Sequence, residues 1–343
     1  MDDTGNAVQV QAASVVSRSR RDPALLAGRV GRWRWPWVVV GTLAAITLMV
    51  LIGRLISPLE ARFAAWYELP LDENIHFQAG RWDTFVAFVT FAFPLIAAIA
   101  IVLVFVHGQS WRAALGPNGR FDWSLFAKAA VALLIVSTLS SCVDYLHAPG
   151  SMRLVPHGLS HLPWLLLGAL VILPQAFAED FVFKGYLTRA WGAVLPYRLI
   201  IVALCATAFT TLHAGNADVG ADLSFNLAGF LLMEILAFNL FLRTGSLATA
   251  TGLHWMNNVF AMCLVTTLPG QPGDFAVIEF QHPLMTAGVS KWSDPVEIVS
   301  VLAGTALLWA LLSSPRSPLY LPSAKLPAPP PPTASPPSAP PGP

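Results

Sequence analysis

Apolar residues fall in eight long runs that are separated by shorter polar segments. The runs cover about residues 36–56, 83–106, 124–143, 162–180, 198–213, 223–242, 246–268 and 296–313. Most of them approach the roughly 20 residues that a helix needs to cross the hydrocarbon core of a bilayer. Every backbone polar group must be satisfied inside lipid, and the runs are too long for barrel strands, so helices are expected. The pattern predicts an all-α, polytopic membrane helix bundle of about eight transmembrane helices over residues 36–314.

The composition supports a membrane environment. Hydrophobic residues make up 55% of the 343 positions, and charged residues make up 11%. Ordinary soluble domains carry about 25% charged residues. These values exclude a soluble enzyme, a disordered protein and a nucleic-acid binder. We expect a multi-pass protein of the plasma (inner) membrane, with the lipid bilayer as its surroundings.

Both ends of the chain differ from the apolar middle. Residues 1–35 carry six arginines, and residues 315–343 contain 13 of the 28 prolines. The first segment predicts a basic, disordered arm in the cytoplasm. The second predicts a disordered, extended proline-rich tail. The tail could recruit a partner that binds proline-rich peptides, although an inert tail is the stronger expectation.

The distribution of Lys and Arg indicates the orientation of the bundle. If the arm is cytoplasmic and eight spans alternate, the cytoplasmic side holds 15 of the 20 Lys and Arg residues and the opposite side holds five. Membrane proteins concentrate these residues in their cytoplasmic loops. The distribution therefore predicts that both termini lie in the cytoplasm.

Four groups of polar residues interrupt the apolar runs. Ionisable groups at membrane depth are costly, so each of them is a candidate for a function. The groups are Glu179–Lys184 at the end of the fourth run, Phe209–His213 at the end of the fifth, Glu234 in the sixth and His254–Asn258 in the seventh. For Glu234 we expect a structural role, with Lys184 as one possible partner. Gly229 and Gly252 are expected to allow close packing of helices.

Taken together, these residues contain the parts needed to hydrolyse an amide bond. A single histidine in a membrane helix is more often a hydrogen-bonding residue between helices than a catalytic one. A carboxylate can serve as a general base. Two imidazoles can bind a metal ion or polarise a water molecule, and an amide can donate to an oxyanion. His254 and Asn258 are four residues apart, so they share one helix face.

Three of these groups resemble the motifs of a known family. Glu179–Gly185 resembles the EExxxRG motif of the CPBP intramembrane proteases, the family of CAAX prenyl endopeptidases and bacteriocin-processing, Abi-type proteins. Phe209–His213 matches its FxxxH motif, and His254–Asn258 matches its HxxxN motif. The resemblance covers about residues 162–266, and this segment is the expected catalytic core.

The resemblance implies the role of each matching residue. Glu179 would activate the attacking water with His213 beside it, and His254 and Asn258 would hold a metal ion or stabilise the oxyanion. One alternative is a zinc ion held by His213 and His254. The other is a metal-free reaction driven by the glutamate, and the sequence leaves both open.

Asp180, Lys184 and Phe209 occupy supporting positions of the motifs. Asp180 replaces the second Glu, and Lys184 replaces the Arg. The two residues are four apart, so an ion pair can form along the helix. Lysine lacks the bidentate fork of arginine, so a contact that needs this fork would be weaker.

The depths of Glu179 and His213 raise a geometric difficulty. With eight alternating straight spans, Glu179 lies near the cytoplasmic end of its run and His213 lies far from the cytoplasmic start of its own. A break after Glu179, with residues 181–195 folding back, would bring the two side chains level. We expect such a break.

The favoured function is that of an intramembrane endopeptidase. It would cleave a peptide bond of a membrane-associated substrate, either lipidated or of the leader-peptide type. The alternative is a catalytically weak or inactive scaffold or immunity-type protein of the same fold. A small-molecule transporter is the third possibility, but the inverted repeats expected of many transporters are not visible in the sequence.

Overall fold

The computed structural model describes most of the predicted bundle. The described residues are 32–70, 72–116, 118–155, 158–195, 197–215, 222–266, 275–280 and 289–323. The predicted basic arm up to residue 31 and the predicted proline-rich tail from residue 324 lie outside these ranges. Both assignments stay predictions.

Helices dominate the described part of the chain. Its nine α-helices are α1 (Trp35–Tyr67), α2 (Glu73–Ile101), α3 (Trp123–His147), α4 (Leu162–Asp180), α5 (Thr188–Val194), α6 (Arg198–Leu212), α7 (Leu223–Thr244), α8 (Leu247–Val259) and α9 (Pro295–Ser313). Three π-helical segments continue some of them: Val102–Val106 after α2, Phe181–Leu187 between α4 and α5, and Phe260–Leu264 after α8.

Six helical stretches of the described residues are long and apolar enough to cross a membrane. They are Trp35–Trp66, Ala79–Val106, Trp123–His147, Leu162–Val194, Leu223–Thr244 and Pro295–Ser313. The protein is therefore a multi-pass helical membrane protein, as predicted. The fifth and seventh apolar runs form α6 and α8, which have 15 and 13 residues. The count of eight spans and the cytoplasmic location of both termini stay predictions.

Local sequence signals explain several helix ends. The side chains of Asp72, Asp122 and Asp294 each accept hydrogen bonds from backbone N–H groups in the first turn of α2, α3 and α9. These bonds satisfy donors that a helix start otherwise leaves unpaired. Gly245 follows α7 in the left-handed conformation, with φ of 68°. This conformation costs glycine little, and it lets α8 begin two residues later.

A small sheet accompanies the helices and was not predicted. It contains β1 (Met152–Leu154), β2 (Val265–Thr266) and β3 (Ile278–Phe280), in the order β1-β3-β2. β3 is antiparallel to β1 and parallel to β2. Strands of two or three residues are too short to produce a recognisable alternation of apolar and polar residues.

Helix α8 is the most deeply enclosed of the helices that carry the predicted motifs. All its residues from Leu247 to His254 are buried, and it packs against α3, α4 and α7. A Cβ atom at Gly252 would lie 2.4 Å from the backbone oxygen of Phe126 in α3. The expected close packing at Gly252 is thus confirmed. The expectation for Gly229 is wrong, because a Cβ atom there would meet nothing within 4 Å.

The helix that carries Glu179 does not break. The segment Phe181–Leu187 is π-helical, and it joins α4 and α5 into one helix, Leu162–Val194, of 33 residues. The expected break after Glu179 is therefore wrong. A π segment widens the helix locally but keeps its backbone hydrogen-bonded, so the helix continues through it. Glu179 consequently lies near the middle of a long helix, about 25 Å from its start at 1.5 Å per residue.

A buried group of three charges ties this long helix to α7. The Nζ atom of Lys184 lies 2.7 Å from Oδ1 of Asp180 and 2.6 Å from Oε2 of Glu234. The side chains of Lys184 and Asp180 have no exposed surface, and that of Glu234 is 6% exposed. The predicted ion pair between Asp180 and Lys184 is confirmed, as is the pairing of Glu234 with Lys184. We call Asp180, Lys184 and Glu234 the charge triad.

Replacing Gly252 by Ala should destabilise the bundle. The added methyl group would overlap the backbone of α3, which cannot move aside as a flexible side chain can. Overpacking of this kind costs about 1–3 kcal/mol. Thermal unfolding of the purified protein in detergent measures the loss. Gly53→Ala is the matched control, because a Cβ atom at Gly53 meets nothing within 4 Å. Equal unfolding temperatures for the two variants would contradict the packing argument.

Replacing Lys184 by Met should have a larger effect than replacing it by Arg. The Met variant leaves the carboxylates of Asp180 and Glu234 buried without their cation, and breaking a buried pair costs about 3–5 kcal/mol. The Arg variant keeps the positive charge. Thermal unfolding again measures the difference, with Lys128→Met as the control, since Lys128 is only half-buried. A Lys184→Met protein as stable as the wild type would show that the charge triad does not hold the bundle together.

Candidate active site

Glu179 lies at the centre of the candidate site, in the middle of the long helix. Its side chain is 11% exposed, and its two carboxylate oxygens have different surroundings. Oε1 accepts a hydrogen bond of 2.7 Å from Nε2 of Gln175, one turn earlier on α4. Oε2 accepts no hydrogen bond within the described part of the chain. One oxygen is therefore fixed and the other is free.

Two imidazole rings face the free oxygen of Glu179. Nε2 of His254 lies 3.4 Å from Oε2, and Nε2 of His213 lies 3.7 Å from the same atom. His213 follows the last residue of α6, and His254 lies in α8. Three different helical elements therefore bring one carboxylate oxygen and two imidazole nitrogens together.

His213 is oriented by the end of its own helix. Its Nδ1 atom lies 2.8 Å from the carbonyl oxygen of Phe209, one turn earlier. A carbonyl oxygen only accepts hydrogen bonds, so Nδ1 carries the proton and Nε2 is left to face Glu179. The ring also stacks between Phe209 and Phe230, with centroid distances of 4.3 and 5.6 Å. These contacts fix the plane of the ring.

His254 is oriented by the charge triad. Its Nδ1 atom lies 3.4 Å from Oδ1 of Asp180, the same oxygen that pairs with Lys184. A carboxylate beside Nδ1 fixes the ring orientation and leaves Nε2 for the reacting groups. Asp180 and Lys184 thus act on His254 from behind, on the side away from Glu179.

Phe209 lies between the catalytic candidates and the charge triad. Its ring meets the ring of His254 edge-on at 5.5 Å, and Nζ of Lys184 lies 5.1 Å from its centre. The side chain is 2% exposed. Phe209 therefore packs against His213, His254 and Lys184. This agrees with the supporting role that the sequence predicts for it.

Among the described residues, the hydrogen bonds of Asn258 go to Gln175 and Asn257 and not to Glu179. Its Nδ2 atom donates to Oε1 of Gln175 over 3.1 Å, and Gln175 in turn donates to Glu179. The structure thus brings Glu179, His213 and His254 together and connects Asn258 through Gln175. The sequence analysis did not identify Gln175. The available signal was a polar residue within an apolar run, four positions before Glu179 and hence on the same helix face.

The sequence suggests a zinc ion beside Glu179 as one alternative for this site. Among the described residues, no group of three or more His, Cys, Asp or Glu side chains could hold a metal ion. His213 and His254, which the sequence suggests as zinc ligands, each have Nδ1 engaged by an acceptor of the protein, which leaves Nε2 as the atom that would coordinate a metal ion. The zinc alternative and the metal-free alternative both stay predictions.

Comparisons with known proteins concern the segment that contains these residues. Residues 161–260 match the family model described as type II CAAX prenyl endopeptidase Rce1-like. The chain is also 25% identical over 237 residues to the uncharacterized protein YyaK of Bacillus subtilis (strain 168). The aligned segment covers 66% of this chain and 75% of YyaK. No solved structure matches the chain.

The family match includes all the residues that surround Glu179 and supports a membrane-embedded protease of the CAAX type with a peptide substrate. It also covers the charge triad, which lies within the same hundred residues. The identity to YyaK is too low to carry a substrate or a mechanism. The chain therefore contains, at residues 161–260, a type II CAAX prenyl endopeptidase Rce1-like domain of the CPBP family.

Proposed function

We propose that this protein is an intramembrane endopeptidase of the plasma (inner) membrane. It hydrolyses a peptide bond of a membrane-associated substrate, either lipidated or of the leader-peptide type. The observation that carries the proposal is the free Oε2 atom of Glu179, which faces the Nε2 atoms of His254 and His213 at 3.4 and 3.7 Å. A carboxylate oxygen that accepts no hydrogen bond from the described residues is available to accept a proton from water.

The proposed reaction assigns one task to each side chain. Glu179 takes a proton from water through Oε2, with His213 beside it, and the water oxygen bonds to the substrate carbonyl carbon. His254 acts as an imidazolium, with Nδ1 facing the carboxylate of Asp180. It donates from Nε2 to the oxygen of the tetrahedral intermediate, an interaction that strengthens as negative charge develops. The C–N bond then breaks, and the proton held by Glu179 passes to the leaving nitrogen. The first products are a carboxylic acid and an amine, and transfer of the acid's proton to the amine gives a carboxylate and an ammonium ion.

The depth of the site supports a substrate that reaches it within the bilayer. Glu179 lies near the middle of the Leu162–Val194 helix, and this helix is long enough to cross a membrane. A lipid-modified or hydrophobic segment would carry the scissile bond into the bundle. The competing scaffold function is motivated by the substitution of Lys for Arg at position 184. However, Lys184 still pairs with both Asp180 and Glu234, so this substitution leaves the ion pairing intact.

Replacing Glu179 by Gln should abolish most of the cleavage. The amide keeps the size of the side chain but cannot act as a general base, whose contribution is about 10²- to 10⁴-fold. The measurement is kcat for cleavage of a membrane-tethered peptide by the purified protein in proteoliposomes. Glu60→Gln is the matched control, because Glu60 contacts Thr90 in α2, outside the candidate site. Cleavage by Glu179→Gln and His213→Ala at the wild-type rate would refute the mechanism, and absence of cleavage by the wild type would favour the scaffold function.

Removal of metal ions should leave the activity unchanged within about twofold. The reason is that the proposed reaction uses Glu179 as its base and routes no step through a metal ion, and the described residues include no group of three or more His, Cys, Asp or Glu arranged to hold one. The measurement compares kcat before and after dialysis against a chelator, with the metal content of the same sample determined by elemental analysis. A loss of activity that zinc restores would make His213 and His254 metal ligands and replace the metal-free route.

A further inference from the structure

Gln175 joins Glu179 to Asn258 through two hydrogen bonds. Its Nε2 atom donates to Oε1 of Glu179 over 2.7 Å, and its Oε1 atom accepts from Nδ2 of Asn258 over 3.1 Å. Gln175 is buried, with 7% of its surface exposed. Its hydrogen bond to Glu179 is made to Oε1, whereas the two imidazoles face Oε2.

The chemistry of the carboxylate fixes the direction of this chain of hydrogen bonds. An ionised carboxylate only accepts, so Gln175 must turn its NH₂ group toward Glu179 and its carbonyl toward Asn258. Asn258 must then turn its NH₂ group toward Gln175, and its carbonyl oxygen is free to accept from Nδ2 of Asn257 over 3.3 Å. All three amides donate toward Glu179. Such chains strengthen each member bond.

The donor on Oε1 determines where the second oxygen points. A carboxylate rotates about its last side-chain torsion with little restriction. The hydrogen bond from Gln175 removes this freedom, because rotation would break a buried bond of 2.7 Å. Oε2 is consequently held opposite, facing Nε2 of His254 and His213.

We propose that Gln175 is a positioning residue that aims the free oxygen of Glu179 at the reacting water, and that Asn258 acts on the reaction through Gln175. This inference rests on the proposed peptide hydrolysis. It assigns Asn258 a different task from the oxyanion or metal contact that the sequence motif implies. Asn258 orients an amide, and that amide orients the base.

Kinetics of two variants test the position of Glu179. Gln175→Leu removes both hydrogen bonds, and Gln175→Met removes them with a side chain of nearly the same length as Gln. Each should lower kcat about tenfold or more, because small errors in the position of a catalytic group are costly. KM should stay within about twofold, since substrate binding is not altered. A wild-type kcat in both variants would overturn the inference.

Thr249→Val is the matched control for the loss of a buried hydrogen bond. Thr249 is fully buried in α8, and its hydroxyl lies 3.1 Å from that of Thr244, outside the site. This variant loses a polar contact of the same helix that carries Asn258. It should keep kcat within about twofold of the wild type, and its thermal unfolding sets the scale for a purely structural effect.

A double-mutant cycle tests the route through Gln175. If Asn258 acts through Gln175, Asn258→Leu lowers kcat in the wild-type background and changes nothing further in the Gln175→Leu background. If Asn258 contacts the substrate directly, the two losses multiply, because independent effects add as free energies. Multiplying losses would overturn the second half of the proposal.

An infrared measurement tests the hydrogen bond without any substrate. The carboxylate stretching band of Glu179 is identified by its loss in Glu179→Gln. It should shift in Gln175→Leu and stay in place in Thr249→Val. If the wild type is inactive but the band shifts in Gln175→Leu, the peptidase function is refuted and the hydrogen bond between Gln175 and Glu179 is supported. An active wild type with an unshifted band and an unchanged kcat in Gln175→Leu would refute the inference alone.

Discussion

The buried ammonium group of Lys184 holds two carboxylates from different helices, and the geometry around Glu179 depends on it. Without this cation, Asp180 and Glu234 would be two like charges in an apolar interior, where unpaired ions are very costly. With it, the middle of the Leu162–Val194 helix is tied to α7. The same Asp180 oxygen also faces Nδ1 of His254. A structural ion pair and the orientation of a catalytic candidate thus share one atom.

Glu179 is constrained from two directions. On one side, Gln175 donates to Oε1 and carries the influence of Asn258. On the other side, the imidazoles of His213 and His254 face Oε2. Each ring is held from behind, by the carbonyl of its own helix or by the charge triad. Gln175, His213 and His254 therefore each have their direction set by a neighbour, which is the preorganisation that catalysis in a low-dielectric site requires.

Lysine at position 184 suits this arrangement. An ammonium group is compact and carries three donors that rotate freely, so one group can serve carboxylates on two helices. An arginine fork favours two parallel bonds to one carboxylate. The substitution therefore changes the geometry of the pairing and preserves its charge.

Much of the site could be predicted from the sequence, because ionisable residues are conspicuous in apolar runs. The motif spacings identified Glu179, His213 and His254, which the structure brings together, and the interval of four residues predicted the pair of Asp180 and Lys184. Gln175 was missed because the sequence does not show which residues a neutral amide in an apolar run hydrogen-bonds. The expected break after Glu179 was wrong because hydropathy does not distinguish a π segment from an α-helix. The short strands were missed because two or three residues are too few to show an alternation of apolar and polar positions.

The central claim is that Glu179 acts as a base on water. Tracing the oxygen atom of that water into the product tests this claim most directly. In a single turnover in H₂¹⁸O, with enzyme in excess over a membrane-tethered peptide, mass spectrometry can locate the heavy oxygen. If Glu179 acts as a base on water, the new carboxylate of the product contains ¹⁸O and the side chain of Glu179 contains none. Label in Glu179, with unlabelled first-turnover product, would show that the carboxylate attacks the substrate itself and would contradict the account.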